Sequence, residues 1–404
     1  MPNNINSSIE KTPVELFHRI FDNLNTETIL FSIRPVCRLF RSVVYSYNRF
    51  ILDFKSISKS NFNILCRLIN PKNVISLEFS NNEQTSNHID LFVSLVHLRQ
   101  FTRLYSLTLF NIDEGQLNFI LKRINLNTLT SFSFSIRKYD DRRKKTTINL
   151  LSSILAQSTL RKFEFYINDE RLSKILWPIN CKIQYLTIGY LPIDDFCRIL
   201  QCSPHLHIIT MDEIPTGMIN NLTSICFRQL TSLTIKDLEQ TIDELESFLL
   251  LTASLTYLKL IDGKNMMDGK RWENFIKKNL PQLEKFEFYF SEWKSTEQTS
   301  SDLKLIIDSF RTPFWIEYKK WFVTCEYDIV LIKTISLYTI PICKSFMCYI
   351  SKSKRTCLST YPIMMNNDSS IMNNVDSLRL ILNKSIVGDI QEKVCYSNRS
   401  SSFK

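Results

Sequence analysis

Apolar residues in the middle of the chain follow a short repeated pattern. The string L-x-x-L-x-L, in which Ile, Val, Phe or Met can replace Leu, recurs nine times, and the fourth positions of successive copies lie 23 to 31 residues apart. The copies are VISLEF from Val74, LYSLTL from Leu104, LTSFSF from Leu129, LRKFEF from Leu160, IQYLTI from Ile183, LHIITM from Leu206, LTSLTI from Leu230, LTYLKL from Leu255 and LEKFEF from Leu283. Because apolar and polar residues alternate at the end of each copy, each copy predicts a short β-strand whose fourth and sixth residues face a core.

Helical periodicity fills the segments between these strands. The predicted helices are Asp113–Ile124, Thr147–Ala156, Ile193–Leu200, Ile242–Leu251, Arg271–Lys278 and, after the repeat fades at Phe290, Asp302–Phe310. A strand followed by a helix at this period predicts an α/β solenoid with a curved, largely parallel sheet. The segment resembles a divergent leucine-rich-repeat array, in which the asparagine ladder of regular repeats survives only at Asn82 and Asn168.

The first fifty residues show a different, helical pattern. One face of a predicted helix, capped by Thr12, carries Pro13, Leu16, Phe17, Ile20, Phe21 and Leu24. A second short helix is predicted from Asn25 or Thr26, and a third is predicted to begin at Pro35, because proline suits the first helical turn. Three short helices bury too little surface for so many apolar groups, so the excess must pack on another domain or on a partner.

The spacing of these residues resembles the F-box motif. The chain reads P-V-E-L-F-x-x-I-F-x-x-L, then I-L, then V-C-R-x-F-R, although Thr12 replaces the usual leucine and Phe40 the frequent tryptophan. The resemblance implies docking onto a Skp-type adaptor, which joins members of this family to a cullin–RING ubiquitin ligase. It implies adaptor-binding or helix-packing roles for Pro13, Leu16, Ile20, Phe21, Leu24, Leu30, Val36 and Cys37.

A second candidate surface consists of the outward positions of the later strands. Tyrosines and charged residues gather there from the fourth copy of the pattern onward, and such residues suit interface anchors. The predicted partner-binding residues are Lys162, Glu164, Tyr166, Tyr185, Tyr257, Lys259, Lys285, Glu287 and Tyr289. The alternative interpretation is that they are solvated strand exteriors.

Composition argues against chemistry within the chain. Only six glycines occur, and no phosphate-binding loop, zinc-protease or hydrolase string is present, so we predict neither catalysis nor a cofactor. The cluster Cys197, Cys202, His205 and His207 lacks the paired spacing of structural zinc sites, so we predict no metal.

Charge and cysteine content bear on location and partners. The net charge is +10, and the basic loop Arg137–Lys145 is interpreted as a nuclear import signal, a phosphate-binding patch or a solvated loop tip. No signal peptide or membrane span is recognised, and eleven scattered cysteines suit reduced thiols, so a cytoplasmic or nuclear location is expected.

These observations predict four regions. They are a flexible N-terminus (1–10), an F-box (11–55), a leucine-rich-repeat-like solenoid closed by a cap after Pro313 (56–335), and a weakly ordered basic tail (336–404) with a helix near Val375–Leu382. The predicted function is a non-catalytic substrate adaptor of a Skp–cullin–F-box ubiquitin ligase that binds a target protein with its repeats. The alternatives are a non-degradative repeat scaffold and a basic nucleic-acid-binding solenoid.

Overall fold

A computed structural model describes residues 8–55, 57–81, 88–166, 172–215, 217, 226–294, 298–328, 333–344, 346–350, 355–361 and 377–381. The two ladder positions Asn82 and Asn168 lie outside these ranges. The chain divides into two compact units, the first formed by residues 1–187 with 201–205 and the second by residues 188–200 with 206–404. Both units are mixed α/β structures.

The first unit opens with short helical elements. They are a 3-10 helix Ser8–Lys11, α1 Val14–Phe21, a π-helix Thr28–Ile33 and α2 Arg38–Ser46. Pro13, not Thr12, occupies the N-cap of α1. The predicted helix start at Pro35 is wrong, because Val36 closes a turn by donating its N–H to the Ile33 carbonyl and Cys37 is extended, so α2 begins at Arg38.

Strands follow in sequence order. The strands are β1 Phe50–Asp53, β2 Val74–Ser80, β3 Ser106–Asp113, β4 Ser131–Lys138, β5 Lys162–Tyr166 and β6 Tyr185–Ile188, which begins in this unit. Strands β1 to β5 pair in parallel. The α-helices are α3 Lys59–Leu68, α4 His88–Leu95, α5 Glu114–Leu121 and α6 Lys144–Leu155, and 3-10 helices span Pro71–Asn73, Leu98–Gln100, Asp141–Arg143 and Leu172–Lys174. The fourth residues of successive sequence copies, Leu77, Leu107, Phe132 and Phe163, lie opposite one another and are buried.

The second unit repeats this arrangement. Its parallel strands are β7 Ile208–Met211, β8 Ser232–Ile235, β9 Tyr257–Gly263 and β10 Lys285–Trp293. Its helices are α7 Ile193–Cys202, α8 Ile242–Leu249 with a 3-10 extension Leu250–Thr252, α9 Gly269–Asn279 and α10 Ser300–Asp308. Capping boxes start α8 at Thr241 and α10 at Thr299, which fixes where these helices begin. A strand is therefore confirmed at each of the nine sequence copies.

Beyond β10 the chain becomes antiparallel. A π-helix Phe314–Tyr318 precedes β11 Val323–Asp328, β12 Thr334–Thr339 and β14 Arg355–Ser359, and the strand order is β10-β12-β11-β14. Two further strands, β13 Phe346–Ile350 and β15 Ser377–Ile381, pair in parallel. The helix predicted near Val375–Leu382 is therefore wrong, and the boundary predicted at residue 336 falls inside β12. Neither could be read from repeat spacing, because the strands after β10 lie outside the repeat period.

Candidate protein-docking surfaces

Helix α1 has one buried apolar edge and one exposed apolar edge. Phe17 and Phe21 are buried, whereas Leu16 and Ile20 are 45% and 54% exposed. Val36 is 66% exposed, and Pro13, Leu24 and Cys37 are also exposed. We call Leu16, Ile20, Leu24 and Val36 the apolar stripe. A run of exposed large apolar groups on one small segment is typical of a protein-interaction surface.

Two of the eight residues that the F-box resemblance names take the helix-packing role that it also allows. Phe21 is 1% exposed and Leu30 is 3% exposed. The Phe21 ring packs edge-on against Tyr47 at 5.5 Å, and Phe17 meets Phe40 in the same way at 5.5 Å. Phe21 and Leu30 therefore belong to the internal packing of this segment.

Tyr47 joins the helices to the first strand. Its ring packs edge-on against Phe50 at 4.9 Å, and its hydroxyl donates to Asp22 at 3.0 Å. Arg49 donates two further hydrogen bonds to the same carboxylate, each 2.9 Å long. Burial, together with the Asp22 carboxylate, raises the pKa of Tyr47 to about 12. For Asp22 burial acts to raise the pKa, but the hydrogen bonds from Arg49 and Tyr47 outweigh it and lower the pKa. This network fixes how the helices enter β1.

In the first unit the outward strand positions remain open but are internally paired. Lys162 forms an ion pair with Glu164 at 2.9 Å, and Thr187 donates to the same carboxylate at 3.4 Å. Tyr166 lies 6.4 Å from Phe110 between ring centroids, and Tyr185 is exposed.

Sequence reasoning missed Lys55, which follows β1. Its ammonium pairs with Glu78 at 2.5 Å and lies 5.5 Å from the centre of the Phe110 ring. Lys55 therefore lies between a carboxylate and an aromatic ring on the outward face. The ion pair and the cation–π contact both stabilise its charged ammonium group. No residue spacing marks such a pair, because its members come from three different segments.

In the second unit the predicted residues bind one another. Tyr257 donates to Glu287 at 2.6 Å, Lys285 pairs with the same carboxylate at 2.7 Å, and Lys285 lies 5.2 Å from the Tyr257 ring centre. Burial and the neighbouring Glu287 raise the pKa of Tyr257, so its hydroxyl remains a donor. Glu287 is a buried acceptor here, not the exposed anchor expected from the sequence.

The segment Ile342–Lys344, which sequence reasoning also missed, reaches the outward positions of β9 and β10. Lys344 donates to Asp262 at 2.6 Å and lies 4.7 Å from the centre of the Tyr289 ring, which itself stacks on Tyr338 at 5.8 Å. Cys343 is buried, and burial raises the pKa of its thiol to about 12 in the neighbourhood of the charges of Lys259 and Glu287. The chain therefore covers part of its own predicted partner-binding surface.

The basic loop is held by local ion pairs. Arg137 pairs with Asp113 at 3.2 Å, and Asp140 pairs with Arg142 at 3.2 Å and with Arg143 at 3.0 Å. These contacts order the loop at the start of α6. They do not test whether the loop is a nuclear import signal, and that interpretation stays a prediction.

Three residues of the cysteine–histidine cluster, Cys197, His205 and His207, each contact different groups of the protein. Cys197 is buried, and burial raises the pKa of its thiol. His205 lies 3.3 Å from the Lys182 ammonium, and His207 lies 3.1 Å from the Gln229 carbonyl. Within the described ranges, no three His, Cys, Asp or Glu side chains are grouped so that they could hold a metal ion. Nor does any helix in those ranges have the length and apolar character needed to cross a membrane.

Comparison with known proteins bears on the N-terminal helices. Curated proteins yield no match for this chain. Residues 13–52, which contain α1, the π-helix, α2 and most of β1, match the family model of the F-box domain. Such domains in general bind a Skp-type adaptor of Skp–cullin–F-box ligases. The chain therefore contains an F-box domain at residues 13–52.

Proposed function

We propose that this chain is a substrate-recognition adaptor of a Skp–cullin–F-box ubiquitin ligase. The F-box docks on the Skp-type adaptor, the strand–helix array holds a target protein, and a partner enzyme transfers ubiquitin to the target through proximity. The chain itself performs no catalysis. The same proposal states that the array is leucine-rich-repeat-like and that its target is delivered for degradation.

The apolar stripe carries this proposal. Leu16 and Ile20 project from α1 to solvent while Phe17 and Phe21 fill the interior. Four large apolar groups lie within the 21 residues from Leu16 to Val36 and are 37–66% exposed. Burying the exposed part of each under a partner contributes on the order of 1 kcal/mol. The match to the F-box family model falls on the same residues.

Adaptor capture tests the docking step. The double substitution Leu16→Ala with Ile20→Ala is expected to weaken adaptor affinity by about 4 kcal/mol, roughly a thousandfold, since two apolar anchors are truncated. Binding is measured with the purified full chain and a purified Skp-type adaptor. The matched control is Leu176→Ala with Ile179→Ala, which removes two other exposed apolar groups of the first unit and is expected to leave affinity unchanged.

Recovery of further subunits tests the ligase assignment. Capture of adaptor together with cullin by the unmodified chain supports the proposal. Capture of adaptor alone supports the scaffold alternative, and retained adaptor binding by the folded double variant contradicts the docking surface.

A further inference from the structure

We propose that the edge of the first unit at which its strands begin binds an extended segment of the target protein that carries both acidic and apolar side chains. This inference rests on the proposed function, for which it names the target-binding surface and the chemistry of the target. We call this surface the basic edge, and its cations are Arg99, Arg103, Lys122, Arg123, Arg161 and Lys182.

The basic edge is formed by the four segments that lead into β3, β4, β5 and β6. These segments span residues 95–105, 121–130, 155–161 and 175–184, and they contain the six cations and no Asp or Glu. Strands β3, β4 and β5 pair in parallel, with Ser106 opposite Ser131 and Ser131 opposite Lys162, so the segments before them lie side by side. Tyr185 donates its N–H to the Arg161 carbonyl at 3.0 Å, which places the fourth segment beside the third. At a strand spacing of about 4.8 Å, the four segments cover about 14 Å.

Acidic residues of the same stretch lie at the opposite edge. Between residues 95 and 161 the chain has four, Asp113, Glu114, Asp140 and Asp141, and each lies where a strand ends and the next helix begins. Basic residues at that edge are neutralised locally, since Arg137 pairs with Asp113 and Arg143 pairs with Asp140. The edge at which strands end therefore balances its own charge, whereas the basic edge does not.

The cations of the basic edge have no carboxylate partner among the described residues. Arg99, Lys122, Arg123 and Lys182 are exposed, and Arg103 and Arg161 are partly exposed. Arg123 donates to the Phe119 carbonyl at 3.3 Å, and this contact does not neutralise its charge. Arg161 likewise donates to the Ser158 carbonyl at 2.6 Å. Like charges held together without a counter-charge repel one another, and an acidic partner removes that repulsion.

Side-chain hydrogen bonds fix the segments of the basic edge against one another. Thr128 donates to the Leu104 carbonyl at 2.8 Å, and Thr159 donates to the Asn127 carbonyl at 3.1 Å. Each bond joins two neighbouring segments. The main chain that carries the cations is therefore held in place before a partner binds, which reduces the ordering cost of binding.

Exposed apolar groups in the same four segments favour a polypeptide over a nucleic acid. The large ones are Leu95, Tyr105, Leu176 and Ile179, of which three are aliphatic. Binding of single-stranded nucleic acid relies on aromatic rings that stack on successive bases. In these four segments, all of which the structure describes, Tyr105 is the one exposed ring. Aliphatic groups beside cations instead complement a polypeptide in which apolar side chains lie beside carboxylates.

The test measures the affinity of the full chain for four labelled probes at physiological salt. The acidic–apolar probe combines Glu and Leu with Ser spacers in an extended peptide of about ten residues, long enough to cross the four segments. The second probe replaces each Glu by Gln, the third replaces each Leu by Ser, and the fourth is a single-stranded oligothymidylate of about ten nucleotides. The acidic–apolar probe is expected to bind about tenfold or more tightly than the second and third probes. Equal affinity for either of these, or higher affinity for the oligothymidylate, overturns the inference.

Two double variants locate the binding. Arg99→Gln with Lys122→Gln removes two exposed cations of the basic edge and is expected to weaken binding of the acidic–apolar probe about tenfold. The matched control, Lys270→Gln with Lys278→Gln, removes two exposed cations of the second unit and is expected to leave the affinity nearly unchanged. Because both variants remove two positive charges from a chain of net charge +10, general attraction of anions predicts equal losses instead. Equal losses in the two folded variants, or no loss in the basic-edge variant, overturn the inference.

Adaptor binding measured on the same samples separates this inference from the proposed function. Weaker binding of the acidic–apolar probe with normal adaptor binding in the basic-edge variant supports the inference. If the unmodified chain binds adaptor but shows no preference for the acidic–apolar probe, the inference fails and the proposed function stands. If it shows the preference but binds no adaptor, the proposed function fails and the basic edge stands as a peptide-binding surface.

Discussion

The F-box segment and the strand–helix array place neighbouring apolar residues differently. In the array the apolar positions of each copy face the core, and Leu107, Phe132 and Phe163 are fully buried. In α1 the adjacent residues differ, because Ile20 is exposed and Phe21 is buried. The array is therefore stabilised by its own apolar groups, whereas the F-box displays part of its apolar surface. Several exposed apolar residues on one small segment, which the fold does not need, support a partner surface.

The largest expected effect separates these two neighbours in α1. Phe21→Ala is expected to lower the free energy of unfolding of the helical segment by about 3–5 kcal/mol, because it leaves a cavity beside Tyr47. Ile20→Ala is expected to change it by less than about 0.5 kcal/mol, because the side chain is largely in solvent. Hydrogen exchange of the amides of residues 14–46 measures both. Equal protection in the two variants would contradict the assignment of inner and outer edges.

A matched substitution in the array sharpens the comparison. Phe288 is fully buried and stacks on Phe290 at 4.5 Å, so Phe288→Ala is also expected to lower the free energy of unfolding by about 3–5 kcal/mol. Adaptor affinity is expected to stay unchanged, since the F-box packing is untouched. A folded Phe288→Ala protein that has lost adaptor affinity would show that the array contributes to docking.

The smallest effect concerns pH. Tyr47 has its pKa raised to about 12 from an ordinary value of 10.0, so the unfolded chain releases this proton first. Its contribution to stability is fully present below pH 10 and is lost as pH rises from 10 to about 12. In Tyr47→Phe this part of the alkaline loss should disappear, as measured by hydrogen exchange or denaturation of the F-box segment across that range. An unchanged alkaline profile would show that the Tyr47–Asp22 contact does not stabilise the segment.

Much of the array could be predicted because each copy of the pattern fixes its own inward residues. The register of Leu77, Leu107 and Phe132 follows directly from that repetition. The contacts of Lys344 could not be predicted, since Asp262 lies 82 residues away and no period links the two. Strands β12 and β14 were missed for the same reason, because their antiparallel pairing with β10 and β11 follows no repeat period.

The candidate site was predicted only in part. Helical spacing places Leu16, Ile20 and Phe21 on one broad apolar face, but spacing alone does not predict which of them are buried and which are exposed. That depends on the position of Tyr47, which packs on Phe21 and leaves Ile20 in solvent. Likewise, the charge of Glu287 suggested an exposed anchor, but Tyr257 and Lys285 make it an internal acceptor.

Thiol labelling of Cys37 tests the central claim most directly. Cys37 is exposed beside Val36 of the apolar stripe, and Cys226 is an exposed thiol of the second unit that serves as an internal control. Labelling is followed site by site by peptide mass spectrometry, with and without a Skp-type adaptor. We predict that adaptor slows labelling of Cys37 and leaves Cys226 unaffected. Unchanged labelling of Cys37 in a chain saturated with bound adaptor would contradict the account.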